Sequence, residues 1–188
     1  MTISRTTAFA CLCLLLNSAW AGSDALGNYN ALTRLNGDWM LAPADVQEGG
    51  ATSKGPAAKL IGTDGTAISF KVVGKGSAVQ ENLLPGTAKE MVSMYHCNDF
   101  KNCSQVRATH YCAKQNQPQL ILDAENSGEN VIVMNCDMDT ALCNSTEEHV
   151  HKITHELSGD NRQLKTTYTI YSDGKYKKDS IYHFERKQ

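Results

Sequence analysis

Six histidines, His96, His110, His149, His151, His155 and His183, are spread over the second half of the chain, each in or beside a segment of strand character. The densest group is the run His149-Val150-His151-Lys152-Ile153-Thr154-His155. Residues two apart share a face of an extended strand. Regular alternation therefore sets His149, His151 and His155 on one side, with Val150, Lys152 and Thr154 on the other. Imidazoles at this spacing, about 7 Å by strand rise, suit shared ligation of a metal ion. His149, His151 and His155 are accordingly the candidate metal ligands. The same face has a plainer use as the hydrogen-bonded lining of a polar interior, and the sequence leaves both open.

Thr109-His110-Tyr111-Cys112 places an imidazole and a thiol two residues apart. A thiol nucleophile needs an exposed, electropositive setting, and Lys114 is the one cation nearby. Cys112 therefore reads as a small apolar packing residue, no catalytic residue is assigned, and an enzyme is not the expected outcome. Asn116-Gln117-Pro118 reads as a connection, since Pro118 donates no ladder hydrogen bond, and its amides can rim a cavity mouth. Tyr168 belongs to a group of C-terminal tyrosines, half apolar and half polar in character. The candidate cavity residues are His96, His110, Tyr111, Asn116, Gln117, His149, His151 and Tyr168. No motif identifies a cofactor.

The elements that must position these residues begin after an address label. Residues 1–21 carry Arg5, an apolar run from Ala8 to Leu16, and Ala19-Trp20-Ala21, the small-x-small pattern of a cleaved signal peptide. The apolar run is too short to span a bilayer, which takes about 20 residues. An exported protein is expected, periplasmic or extracellular, with residues 22–188 forming one domain. Loss of Arg5 leaves 17 basic and 20 acidic residues. With no basic stripe to neutralise phosphates, nucleic acid is not an expected partner. A small-molecule ligand is expected, with no transmembrane segment in the mature chain and a monomeric state.

Five cysteines follow the leader. Cys97 and Cys103 bracket one polar loop and Cys136 and Cys143 another, the spacing of two loop-closing disulfides in an exported protein. Cys112 is then the odd one. Other pairings stay possible on spacing alone.

Between residues 22 and 36, Leu26, Tyr29, Leu32 and Leu35 recur at about three-residue spacing, as in a short helix laid on a core. Asp38 to Leu41 opens a strand. Further strands are expected near 59–62, 67–73, 89–95, 105–113, 119–125, 130–135, 149–157, 163–171 and 177–186. Turn chemistry separates many of them: Asp64-Gly65, Pro85-Gly86, Ser127-Gly128, Ser158-Gly159 and Asp173-Gly174. Hairpin-length connections mean antiparallel neighbours, and closure removes the exposed edges of so wide a sheet. The expected fold is all-β, a single antiparallel up-and-down barrel of about 8–10 strands with a short N-terminal helix.

Gly37-Asp38-Trp39, after a helical turn and opening the first strand, resembles the Gly-x-Trp start of lipocalins and related calycin barrels, the group that includes fatty-acid-binding proteins. The resemblance implies that Trp39 plugs one barrel end and that Arg186, from the last strand, stacks on its face. Glu90 to His96 (EMVSMYH), Thr109 to Cys112 (THYC), Asn116 to Pro118 and His149 to His151 are similar to strings in an exported bacterial family of calycin-like barrels. That likeness covers most of the chain from Trp39 onward and departs in the two cysteine-bounded loops. It implies a fold rather than a function. The expected function is an exported binding protein holding a small ligand in a His-, Tyr- and Thr-lined cavity. A histidine-ligated metal or haem barrel is the alternative, and an envelope structural or interaction protein a second.

Overall fold

The computed structural model describes residues 25–48, 51–99 and 101–188. The leader assigned to residues 1–21 lies outside them. Among the described residues one α-helix, α1 (Ala25–Thr33), precedes ten strands: β1 (Gly37–Leu41), β2 (Ile68–Val73), β3 (Ala78–Leu83), β4 (Met91–Cys97), β5 (Val106–Tyr111), β6 (Gln119–Leu122), β7 (Val131–Cys136), β8 (His149–Leu157), β9 (Gln163–Ser172) and β10 (Lys175–Arg186). Each strand pairs antiparallel with its neighbours in sequence, and β1 pairs with both β2 and β10. The sheet is thus a closed ten-strand barrel, which leaves no open edge.

Two expectations shift. Residues 59–62 are not a strand: Pro56 starts a 3-10 turn over Ala57–Lys59, and Gly62 sits at φ +74°. In their place β3 forms from Ala78-Val79-Gln80-Glu81-Asn82-Leu83, where the alternate residues Val79, Glu81 and Leu83 are all buried. A charge at an inward position hides the alternation.

The second shift is in β8. Its pairing with β9 runs Val150↔Ile170 and then Lys152↔Thr169, so His151 is the extra residue of a β-bulge. The bulge resets the parity of the strand. Val150, Ile153, His155 and Leu157 face the interior, while His149 lies opposite Tyr171 on the outer face and His151 stacks on that same Tyr171 ring at 3.9 Å. The three histidines that alternation put on one face are divided two and one.

One barrel end is plugged. Tyr29 and Leu32 of α1 are buried there, and the Tyr29 hydroxyl donates to the Gly76 carbonyl at 2.7 Å. Trp39 is wholly buried, its indole N–H donating to the Leu35 carbonyl at 2.9 Å. The Arg186 guanidinium lies 4.1 Å from the centre of the Trp39 ring and donates to the carbonyls of Arg34, Asn36 and Asn161. Gly37 has φ +129°, and a Cβ there would stand 3.2 Å from Arg186 Nη1. The glycine is required both by its backbone angle and by the approach of the arginine. Disulfides join Cys97 to Cys103 and Cys136 to Cys143, and Cys112 has no disulfide partner among the described residues.

Candidate functional site

The barrel interior holds a buried polar cluster built on Glu81. Its side chain has no solvent exposure. Tyr95 of β4 donates to Oε2 at 2.5 Å and Tyr168 of β9 donates to Oε1 at 2.5 Å. Strands β3 and β9 are not neighbours, so the second bond crosses the interior. His155 of β8 approaches from a third side, with Nε2 3.0 Å from the Tyr95 oxygen and 3.4 Å from Glu81 Oε2. The Tyr95 proton points at the carboxylate, so the tyrosine oxygen accepts from His155. Thr166 holds His155 Nδ1 at 3.0 Å, and the edge of Phe70 closes the imidazole from β2.

Burial pushes the Glu81 carboxyl up, but the hydrogen bond and attraction of His155, with the hydroxyls of Tyr168 and Tyr95, outweigh it and hold the group below the usual glutamate range. Burial, and then the Glu81 charge, push both tyrosines well above theirs. The cluster is an ionised carboxylate held by three donors. Beside it, His110 is fully buried, with Nδ1 2.9 Å from Ser93 Oγ and its ring 5.9 Å from that of Tyr168. Burial lowers the His110 pKa more than the Glu81 charge raises it, so the ring is neutral. Its Nε2 is buried and has no hydrogen-bond partner among the described residues.

A cavity of about 400 Å³ opens at the end of the barrel opposite α1. Its walls include Met91 at the start of β4, Val150 at the start of β8 and Ile170 near the end of β9, with Tyr168 and Tyr182 deeper. Segments of 51–57 and 112–114 complete the rim. Four lysines surround the opening: Lys54, Lys89, Lys114 and Lys178. Lys114 is paired with Glu148 at 2.8 Å. Among the described residues the other three have no carboxylate partner. A groove of about 430 Å³ between Val46 and Leu157 reaches none of Glu81, Tyr95, His110, His155 or Tyr168.

Of the residues singled out in the sequence, His110, His155 and Tyr168 face the interior. His96 and Tyr111 are exposed on the outer face, and Gln117 is exposed in its turn. Asn116 is buried outside the cavity, its amide donating to Glu147 Oε1 and the Glu148 carbonyl. His149 and His151 form a pair of their own, Nε2 to Nδ1 at 3.0 Å, so His155 is not grouped with them. Cys112 lies half-buried with Sγ 3.8 Å from Met91 Sδ, and burial raises its thiol pKa, against a nucleophilic role. Sequence reasoning missed Glu81, Tyr95, Ser93 and Thr166. The legible signal was the pattern Val79-x-Glu81-x-Leu83, a carboxylate between two apolar residues of one face.

No family model matches the chain, and no curated protein matches it. Two disulfides fit an oxidising compartment. No helix among the described residues is long and apolar enough to cross a membrane.

Proposed function

We propose that this chain is an exported binding protein whose barrel takes a small ligand with an apolar body and an anionic group through the end opposite α1. The carrying observation is the cavity itself, with apolar walls from Val150, Ile170 and Tyr182, a floor at Tyr168 and lysines without carboxylate partners at the rim. An apolar body gains roughly 25 cal/mol for each Å² of surface withdrawn from water, and the lysines bind the anionic end. The volume accommodates one small molecule. The closed barrel and the Trp39–Arg186 plug are compatible with the calycin-like architecture that the sequence resembles. The calycin-like reading and the export reading both support a carrier over an enzyme.

The test uses anilinonaphthalene sulfonate, an apolar-bodied anion whose emission rises in apolar sites. The protein is expected to bind one equivalent, and added salt should weaken binding. Lys89→Met with Lys178→Met should weaken it by about tenfold or more per lysine, the value of a charge-assisted contact. Unchanged affinity in that double variant, with folding verified by circular dichroism, sinks the anionic part of the reading. Absence of binding to the parent protein sinks the site.

A further inference from the structure

We propose that His149, His151 and Cys136 form a divalent transition-metal site at the end of the barrel where β7 stops and β8 starts, weak while Cys136 is bonded to Cys143 and strong once that disulfide is reduced. The site is separate from the ligand cavity. It begins with the bulge in β8, which turns His149 and His151 to the same outer face and brings His149 Nε2 to 3.0 Å from His151 Nδ1. Cys136 ends β7, the strand beside β8, and its Sγ and one ring nitrogen of each histidine all lie within 4.8 Å of one another. Ligands of a tetrahedral ion stand about 3.3–3.8 Å apart, given metal–nitrogen lengths near 2.0 Å and metal–sulfur lengths near 2.3 Å. Closing the cluster around an ion takes shifts of an ångström or less at the side-chain tips.

The orientation of His149 is already set. Its Nδ1 lies 2.7 Å from the Glu147 carbonyl, which only accepts, so the proton sits on Nδ1 and the Nε2 lone pair faces His151. A carbonyl behind a ligating imidazole is the usual support of a metal histidine. His151 is positioned by the face of Tyr171 at 3.9 Å and completes the pair by moving its proton from Nδ1 to Nε2. A solvent-open cavity beside Cys136, Met138 and His151 provides the entry path.

The third ligand is conditional. A disulfide sulfur is a poor donor, whereas a thiolate is a strong one. A dithiol reductant supplies two electrons and two protons: its sulfurs join as a new disulfide, the Cys136–Cys143 bond breaks, and both cysteines emerge as thiols. On metal binding the Cys136 thiol releases its proton to solvent and its sulfur electron pair joins the ion. Coupling between the two events is reciprocal. If reduction tightens metal binding on the order of 100-fold, saturating metal makes the disulfide easier to reduce by the same factor, about 60 mV for a two-electron couple.

Cobalt(II) is the probe, titrated into the disulfide-bonded protein and into the same protein reduced with a phosphine. The reduced protein is expected to bind on the order of 100-fold tighter, with a thiolate-to-cobalt charge-transfer band in the near ultraviolet. His149 is buried, so the first variant is His151→Phe, which keeps the stacking on Tyr171 and removes the nitrogen. It should lose tenfold or more in affinity for the reduced form, at least the cost of removing a partner behind a ligand. Cys136→Ser with Cys143→Ser should abolish the band and the dependence on reductant. Equal affinity in the two redox states, or a band that survives His151→Phe at unchanged affinity, overturns the proposal.

Discussion

Replacing Glu81 by alanine is expected to lower the unfolding free energy by about 3–5 kcal/mol, the cost of breaking a buried charge network from one side. The carboxylate is wholly buried and accepts from Tyr95 and Tyr168 at 2.5 Å, with His155 Nε2 at 3.4 Å. Its removal strands two hydroxyls and an imidazole in an interior that offers them little else. Tyr95→Phe deletes one donor and keeps the ring, so it should cost about 1.5–3 kcal/mol, the value of a hydrogen bond to a charged group. Urea unfolding read at a constant slope measures both. Replacing the cluster as a whole, Glu81→Leu with Tyr95→Phe, Tyr168→Phe and His155→Leu, should restore most of the loss, because it leaves no buried charge and strands only the Thr166 hydroxyl that bonded His155. A Glu81→Ala protein as stable as the parent would mean that water enters and satisfies the site.

The same carboxylate gives stability an acid limit. Its folded pKa lies below the ordinary value of 4.5. A group depressed on folding contributes stability that is fully present above the unfolded pKa and lost as pH falls through the folded one. The parent protein should therefore lose stability steeply below about pH 4.5, and the fourfold variant should lose less over that interval. Unfolding curves taken at a series of acid pH values compare the two.

Local signals in the sequence carried the frame. The end of β8 can be read from its flanking residues, because Ser158-Gly159 ends it and the apolar alternation resumes only at Leu164. Gly37, Trp39 and Arg186 were legible as the plugged end through the resemblance to calycin barrels, and the structure gives each its part: a glycine at positive φ, a large ring filling the barrel end, and a guanidinium over it. The two disulfides close their own short loops, so spacing alone favoured them. The cavity chemistry was less legible because it is assembled from distant strands. Glu81 meets Tyr168 across 87 residues of chain, and neither residue announces the other. The lysine rim joins residues from 54 to 178, none of them clustered in sequence. The bulge at His151 was the decisive omission. One extra residue inverts the facing of everything before it, so a pattern argument that was correct for His155 put His149 and His151 on the wrong side.

Trp39→Ala is expected to cost about 3–5 kcal/mol, as large-to-small substitutions of buried aromatic residues do. The ring is wholly buried at the foot of β1, between Leu35 below and the Arg186 guanidinium above. Its loss leaves a void at the end of the barrel and removes the surface on which Arg186 lies. Arg186 donates to three carbonyls on two segments, those of Arg34 and Asn36 and that of Asn161. It therefore ties the end of β10 to the α1–β1 connection and to the β8–β9 turn. Arg186→Met keeps some of the packing but gives up these bonds and the cation–π contact, which is worth about 0.5–2 kcal/mol by itself. The two losses should not add. In a double-mutant cycle the coupling between Trp39→Ala and Arg186→Met should be about 0.5–3 kcal/mol, as for residues in direct contact. Because Arg186 is placed by the ring, removing the ring first leaves less for the second substitution to remove. Strict additivity would show that the arginine is held by its carbonyl partners alone and that the stacking contributes nothing to the closure of this end.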